Sequence, residues 1–308
     1  MNKALEAEND MKRLNLRGVI PAVLTPYDSN HQIDEQTLRH YIDYLIENRV
    51  HGLFIAGTNG EGPVLKMKEK KDLIRIAVEQ TARRIPVIVQ TGEISTEETV
   101  ELTEYAQEVG ADAVAIVAPW YFPHDNESLY NHFGTVAESV PELPIYLYNI
   151  PSNAKNDLKP VLVKKLADHY SNIHGVKDSS KDLDRLCEYI DLLGKDFTVV
   201  IGTDSMVVPA MMMGARGVVS AVGDVFPEIM VQMYEEFMAG HYQEAVRLQF
   251  LVINIRKALK IGPYITPYKA ALSLRGIPFA GIRPPFRLPT EEEVQEMKLA
   301  LDCLGVLK

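Results

Sequence analysis

The chain has 308 residues, 46% hydrophobic and 24% charged, with a formal net charge of −10. That balance excludes a nucleic-acid binder, whose phosphate-facing surface needs concentrated Lys and Arg, and it fits a globular protein with a large core. Two cysteines, Cys187 and Cys303, stand outside any metal-type spacing and read as free thiols in a reducing compartment.

Residues 1–16 read as a polar tail or a short surface helix. They lack the apolar stretch of a signal peptide, and no later run approaches the roughly 18 apolar residues of a membrane span. The expectation is a cytoplasmic protein with no membrane partner. From residue 17 onward, short runs rich in Val and Ile alternate with longer amphipathic stretches. The runs are 18–25, 52–56, 86–91, 112–119, 144–149, 173–177, 197–202 and 217–221. They are nearly continuous in apolarity, as strands buried on both faces are, which predicts a parallel sheet. Helical stretches lie between them, including 35–48, 68–82, 96–109, 127–140 and 159–169. Glu97 and Glu98 give the third of these the acidic first turn that a helix N-terminus prefers.

Eight such units imply right-handed crossovers closing into a TIM (β/α)₈ barrel over residues 17–240. No Gly-x-Gly-x-x-Gly follows the first run, which weighs against a dinucleotide site. After residue 221 the strand pattern stops. Stretches 228–239, 242–259, 267–274 and 291–304 read as helices, the first completing the barrel. Residues 241–308 are then a C-terminal helical region, with the Pro-rich segment 283–289 as an extended linker.

Barrel enzymes keep their active sites at the carboxyl-terminal ends of the strands. Here those ends carry Thr25, the loop Gly57-Thr58-Asn59-Gly60-Glu61, Gln90, the segment from Pro119 to Tyr121, Tyr148-Asn149, Lys177, the segment from Gly202 to Asp204, and Ser220. Lys177 is the most unusual. It is either a solvated strand-end charge or an amine desolvated by apolar neighbours. Full burial can draw a lysine pKa down to about 5–6, and a neutral amine attacks ketones. Tyr148, on the preceding strand, is either a satisfied core tyrosine or a proton shuttle. The glycines of the loop 57–61 either turn the chain or let backbone N–H groups approach a small anion. The histidines show no metal-type spacing, and no phosphate-loop or serine-elbow motif occurs, so neither metal nor cofactor is expected. The run Met211 to Met213 reads as barrel packing.

These residues resemble the dihydrodipicolinate synthase / N-acetylneuraminate lyase superfamily, which also contains 2-keto-3-deoxygluconate aldolases. The resemblance runs from about Leu16 onward. It rests on Gly57-Thr58-Asn59-Gly60-Glu61, Pro119-Trp120-Tyr121, Tyr148-Asn149-Ile150-Pro151, Gly175-Val176-Lys177-Asp178 and Gly202-Thr203-Asp204, one motif per strand end. It implies a lyase in which Lys177 forms a Schiff base with pyruvate or a related 2-oxo acid, the other substrate being an aldehyde. Tyr148 would shuttle protons and contact the bound carboxylate. Thr58 would link Tyr148 to Tyr121 reaching across from a neighbouring subunit of a homotetramer. Gly57, Thr58, Asn59 and Gly60 would hold the substrate carboxylate, and Val219 would line the pocket.

Departures from the family pattern bear on the substrate. Asn59 stands where a second hydroxyl is usual. Asn153 stands where dihydrodipicolinate synthases carry an arginine that clamps the aldehyde's carboxylate, and an amide does not replace a bidentate guanidinium. Lys155 occupies a position where glycine is common and is a possible substitute charge. The sequence therefore favours a 2-keto-3-deoxy-sugar-acid or similar 2-oxo acid aldolase. A dihydrodipicolinate synthase using aspartate semialdehyde, a sugar-acid dehydratase and a non-catalytic binding protein are the alternatives.

Overall fold

The computed structural model describes residues 16–307. Each apolar run supplies one strand: β1 (Gly18–Pro21), β2 (Leu53–Ile55), β3 (Val87–Gln90), β4 (Ala113–Val117), β5 (Ile145–Asn149), β6 (Ile173–Asp178), β7 (Thr198–Ile201) and β8 (Gly217–Ser220). All pair in parallel, in the order β1-β8-β7-β6-β5-β4-β3-β2. His51 bridges the remaining seam between β1 and β2. Its backbone N–H donates to Val19 O at 2.8 Å, and its ring Nδ1 accepts from Val19 N at 3.2 Å. Gly18 makes this closure possible, because a Cβ there would lie 2.3 Å from the His51 ring. The result is the expected TIM barrel, ringed by helices and followed by further C-terminal helices.

Except for β6, the strands are shorter than the runs that predicted them. In the first run, pairing ends at Pro21, yet Ala22, Val23, Leu24 and Thr25 stay buried. The surplus apolarity packs the barrel mouth instead of extending the ladder. Helix starts follow ordinary capping chemistry. Asp34 caps Glu35–Glu47 through Thr37 N at 3.0 Å, and Ser95 caps Thr96–Glu108 through Glu98 N at 3.1 Å. Short helices at Pro151–Ala154 and Val222–Val225 went unread, since one turn is too brief to show a 3.6-residue period. Of the three methionines that end Val207–Met213, only Met211 is buried, while Met212 and Met213 are exposed, so the methionine run packs on one side only.

The C-terminal region is bound to the barrel by charge and by stacking. Arg283 pairs with Glu69 at 2.7 Å and lies 4.6 Å from the centre of the Tyr27 ring. From the helix Thr266–Leu274, Lys269 reaches in to pair with Glu61 at the end of the predicted anion loop. Of the tail predicted for residues 1–16, all but Leu16 lies outside the described residues.

Candidate active site

The β5–β6 register sets Tyr148 opposite Lys177 and Asn149 opposite Asp178. Lateral partners in a parallel sheet share a face, so the lysine and the phenol point the same way. Asn149 fixes this pair from behind, donating to Asp178 Oδ1 at 2.9 Å and accepting from Leu158 N at 3.0 Å. Gly202, at the end of β7, leaves room for the lysine stem. A Cβ there would sit 1.9 Å from Ser179 Oγ and 3.2 Å from Lys177 Cε.

Lys177 is 5% exposed and lines a cavity of about 490 Å³ at the carboxyl-terminal mouth. Its Nζ lies 3.7 Å from the centre of the Tyr148 ring and 3.9 Å from that of Phe54. Those two rings meet edge to face at 5.9 Å. Among the described residues no carboxylate comes within ion-pair distance of this amine. Burial holds its pKa well below the ordinary lysine value, against the opposing pull of Asp224 and Asp204. Aromatic faces favour a cation by about 0.5–2 kcal/mol. Losing water costs a buried charge more than that, so desolvation favours the neutral amine.

The Tyr148 hydroxyl is hydrogen-bonded to Thr58 Oγ1 at 3.2 Å. Burial pushes its pKa up to about 12, with Thr58 and Ser179 drawing it back, so the phenol keeps its proton. Thr58 sits in a loop held from both ends. Thr25 Oγ1 donates to Gly60 O at 2.6 Å, and Gly62 N donates to Gly57 O at 3.0 Å. Among the described residues the N–H groups of Thr58 and Asn59 have no backbone partner, which leaves them free for an anion. Asp224, fully buried, receives the Tyr41 hydroxyl at 3.2 Å. Burial raises its pKa well above the usual carboxylate range, with Tyr41 and then Asn59 drawing it back.

The cavity thus gathers Thr58, Asn59, Tyr148, Asn153, Lys177 and Val219, all singled out in the sequence. It does not gather Tyr121, which is 74% exposed beside Phe122, with a left-handed φ of 83°. Gly57 and Gly60 shape the loop without lining the cavity. Lys155 is exposed and outside the lining, so it is no substitute for a charge at Asn153. Its φ of 65° lies in the left-handed region that glycine adopts without strain. Sequence reasoning missed Phe54 and Asp224. A phenylalanine in an apolar strand gives no hint of lying under an amine, and Asp224 sits on a single helical turn. It also gave no role to Lys181, Arg256 and Lys260, which line the same cavity.

A closed parallel barrel with a desolvated amine at its carboxyl-terminal mouth has the build of a barrel enzyme. The sequence profile of the Dihydrodipicolinate synthetase family matches residues 15–303, and the chain belongs to that family of aldolase-type lyases. It is 39% identical over 293 residues to the 4-hydroxy-tetrahydrodipicolinate synthase of Methanopyrus kandleri, covering 95% of this chain and 97% of the relative. An uncharacterised DapA-like lyase of Halobacterium salinarum is 37% identical over 96% of both chains. Among solved structures, YagE, a prophage protein of the same family from E. coli K12 in complex with pyruvate, superposes with a TM-score of 0.92. It is 32% identical, with 95% of this chain and 100% of that one covered. Among the described residues no helix is long and apolar enough to cross a membrane.

Proposed function

We propose that the chain joins or splits a 2-oxo acid and an aldehyde through a Schiff base on Lys177. The observation that carries this reading is the buried amine, its pKa drawn well down by burial, facing a cavity beside a protonated phenol. The Lys177 lone pair attacks the ketone carbon, the carbonyl oxygen leaves as water, and the iminium that forms draws electrons from the neighbouring carbon. Loss of a proton from that carbon gives an enamine, which adds to the aldehyde carbon. Water then releases the product and regenerates the amine. Tyr148 hands protons on and takes them back, with Thr58 as its hydrogen-bonded neighbour. The free N–H groups of Thr58 and Asn59 suit the 2-oxo acid's carboxylate. YagE, crystallised with pyruvate, supports pyruvate as that acid.

Two substrate readings follow. The name of the Methanopyrus relative supports the synthase reading, set second on sequence alone, in which pyruvate condenses with aspartate semialdehyde. Asn153 on the cavity wall, with its Oδ1 accepting from Ser152 Oγ at 2.8 Å, supports a sugar-acid aldolase instead. Tyr121 is exposed and held at an unfavourable φ, as a side chain that serves a neighbouring subunit would be, and this supports a homotetramer. Pyruvate followed by borohydride tests the common core. One reduced pyruvate should add to the wild type and none to Lys177→Ala. Pyruvate loss with aspartate semialdehyde, glyceraldehyde or glyoxylate then separates the two substrates.

A further inference from the structure

The cavity above Lys177 is cationic, although the chain as a whole carries −10. Lys181 follows β6, and Arg256 and Lys260 stand at the end of the helix Tyr242–Ala258 and just beyond it. Among the described residues none of the three has an ion-pair partner. The one carboxyl on the lining, Asp204, is already committed: it accepts from Ser220 Oγ at 2.6 Å, Ala221 N at 3.2 Å and Val222 N at 3.1 Å. Lost solvation, then Arg256 and Lys181, hold the Lys260 pKa below its ordinary value, so the three cations feel one another. Like charges gathered around one void repel, and a bound anion relieves that repulsion. The free N–H groups of Thr58 and Asn59 suit the first substrate's carboxylate, which leaves these cations for a second anion.

We propose that Lys181, Arg256 and Lys260 form an anion subsite for the carboxylate or phosphate tail of the aldehyde, making the enzyme select an anionic aldehyde over a neutral one. The subsite supplies, from the segment after β6 and from the C-terminal region, the charge that Asn153 lacks. It rests on the Schiff-base reading, since it is defined by its place in the cavity of Lys177.

The test compares kcat/KM for pyruvate condensation with succinic semialdehyde, glyceraldehyde 3-phosphate and glyceraldehyde. The expected result is a preference of about tenfold or more for at least one anionic aldehyde over glyceraldehyde, shrinking in about 0.5 M NaCl as screening sets in. Preference for the semialdehyde assigns a carboxylate tail, and preference for the phosphate assigns a phosphate ester. Arg256→Gln should lower the anionic-to-neutral ratio about tenfold and Lys260→Gln about threefold. Arg256→Lys should recover part of the loss. If Arg256→Gln does not fold, the exposed Lys260 and the salt dependence of the wild type still decide. An adduct with borohydride but no anionic preference, or a ratio unmoved by the variants, overturns the subsite alone. No adduct overturns the Schiff-base reading and the subsite with it.

Discussion

Lys177 and Lys269 are hidden to a similar degree, 5% and 2% exposed, and both rest against aromatic rings. Lys177 faces a cavity and, among the described residues, has no carboxylate partner. Lys269 donates to Glu61 and stands 4.5 Å from the centre of the Tyr27 ring. Burial draws both amines down, but Glu61 pushes Lys269 back up through contact. The difference teaches that burial alone does not make an amine reactive. Where a carboxylate touches the lysine, the proton stays within the pair and the charge holds the fold together. Where none does, burial favours losing the proton to solvent, which leaves a lone pair to react. The two regions are linked, because Glu61 ends the loop that positions Thr58.

Exchanging the properties of the two lysines tests this contrast. The largest effect should come from Lys177→Met, which lowers turnover about 10⁴-fold or more, measured as pyruvate consumption. Tyr148→Phe should keep the Schiff-base adduct but slow turnover about 10²–10⁴-fold, seen by comparing trapping with steady-state rate. Lys269→Met strands Glu61 as an unpaired buried charge and should cost about 3–5 kcal/mol in urea unfolding. Adding Glu61→Gln should recover part of it.

A smaller effect has the opposite sign. Lys177→Met should raise stability by about 1–3 kcal/mol near neutral pH, since it removes an unsatisfied buried polar group. The folded-state pKa of Lys177 lies below its unfolded value. The unfolded chain therefore binds the extra proton between the two, and wild-type stability rises with pH across that window. The advantage of the methionine variant should shrink as pH climbs toward 10.5, which thermal melts at several pH values would show. Cutting the surface pairs of Arg39 with Glu35 and Glu79 by Arg39→Ala should change stability by under about 1 kcal/mol.

The barrel was legible because its strands are buried on both faces and so read as unbroken apolar runs. Lys177 and Tyr148 stood out because each ends such a run with a polar group. Their shared face follows from a register that no single strand reveals. The Glu61–Lys269 pair joins residues 208 positions apart, and nothing local to either announces the other. Tyr121 was named for a contact that a single chain does not make. Arg256 and Lys260 sit at the end of a helix where basic residues are ordinary, and only the closed fold turns them toward the cavity of Lys177.

The pH dependence of pyruvate adduct formation, read by peptide mapping at Lys177, addresses the neutral amine itself. Between pH 7 and pH 10.5, labelling should reach its plateau well before the top of the range. A rate that climbs about tenfold per pH unit across that range, as for an ordinary solvated lysine, would mean that the amine is protonated at rest, contrary to this account.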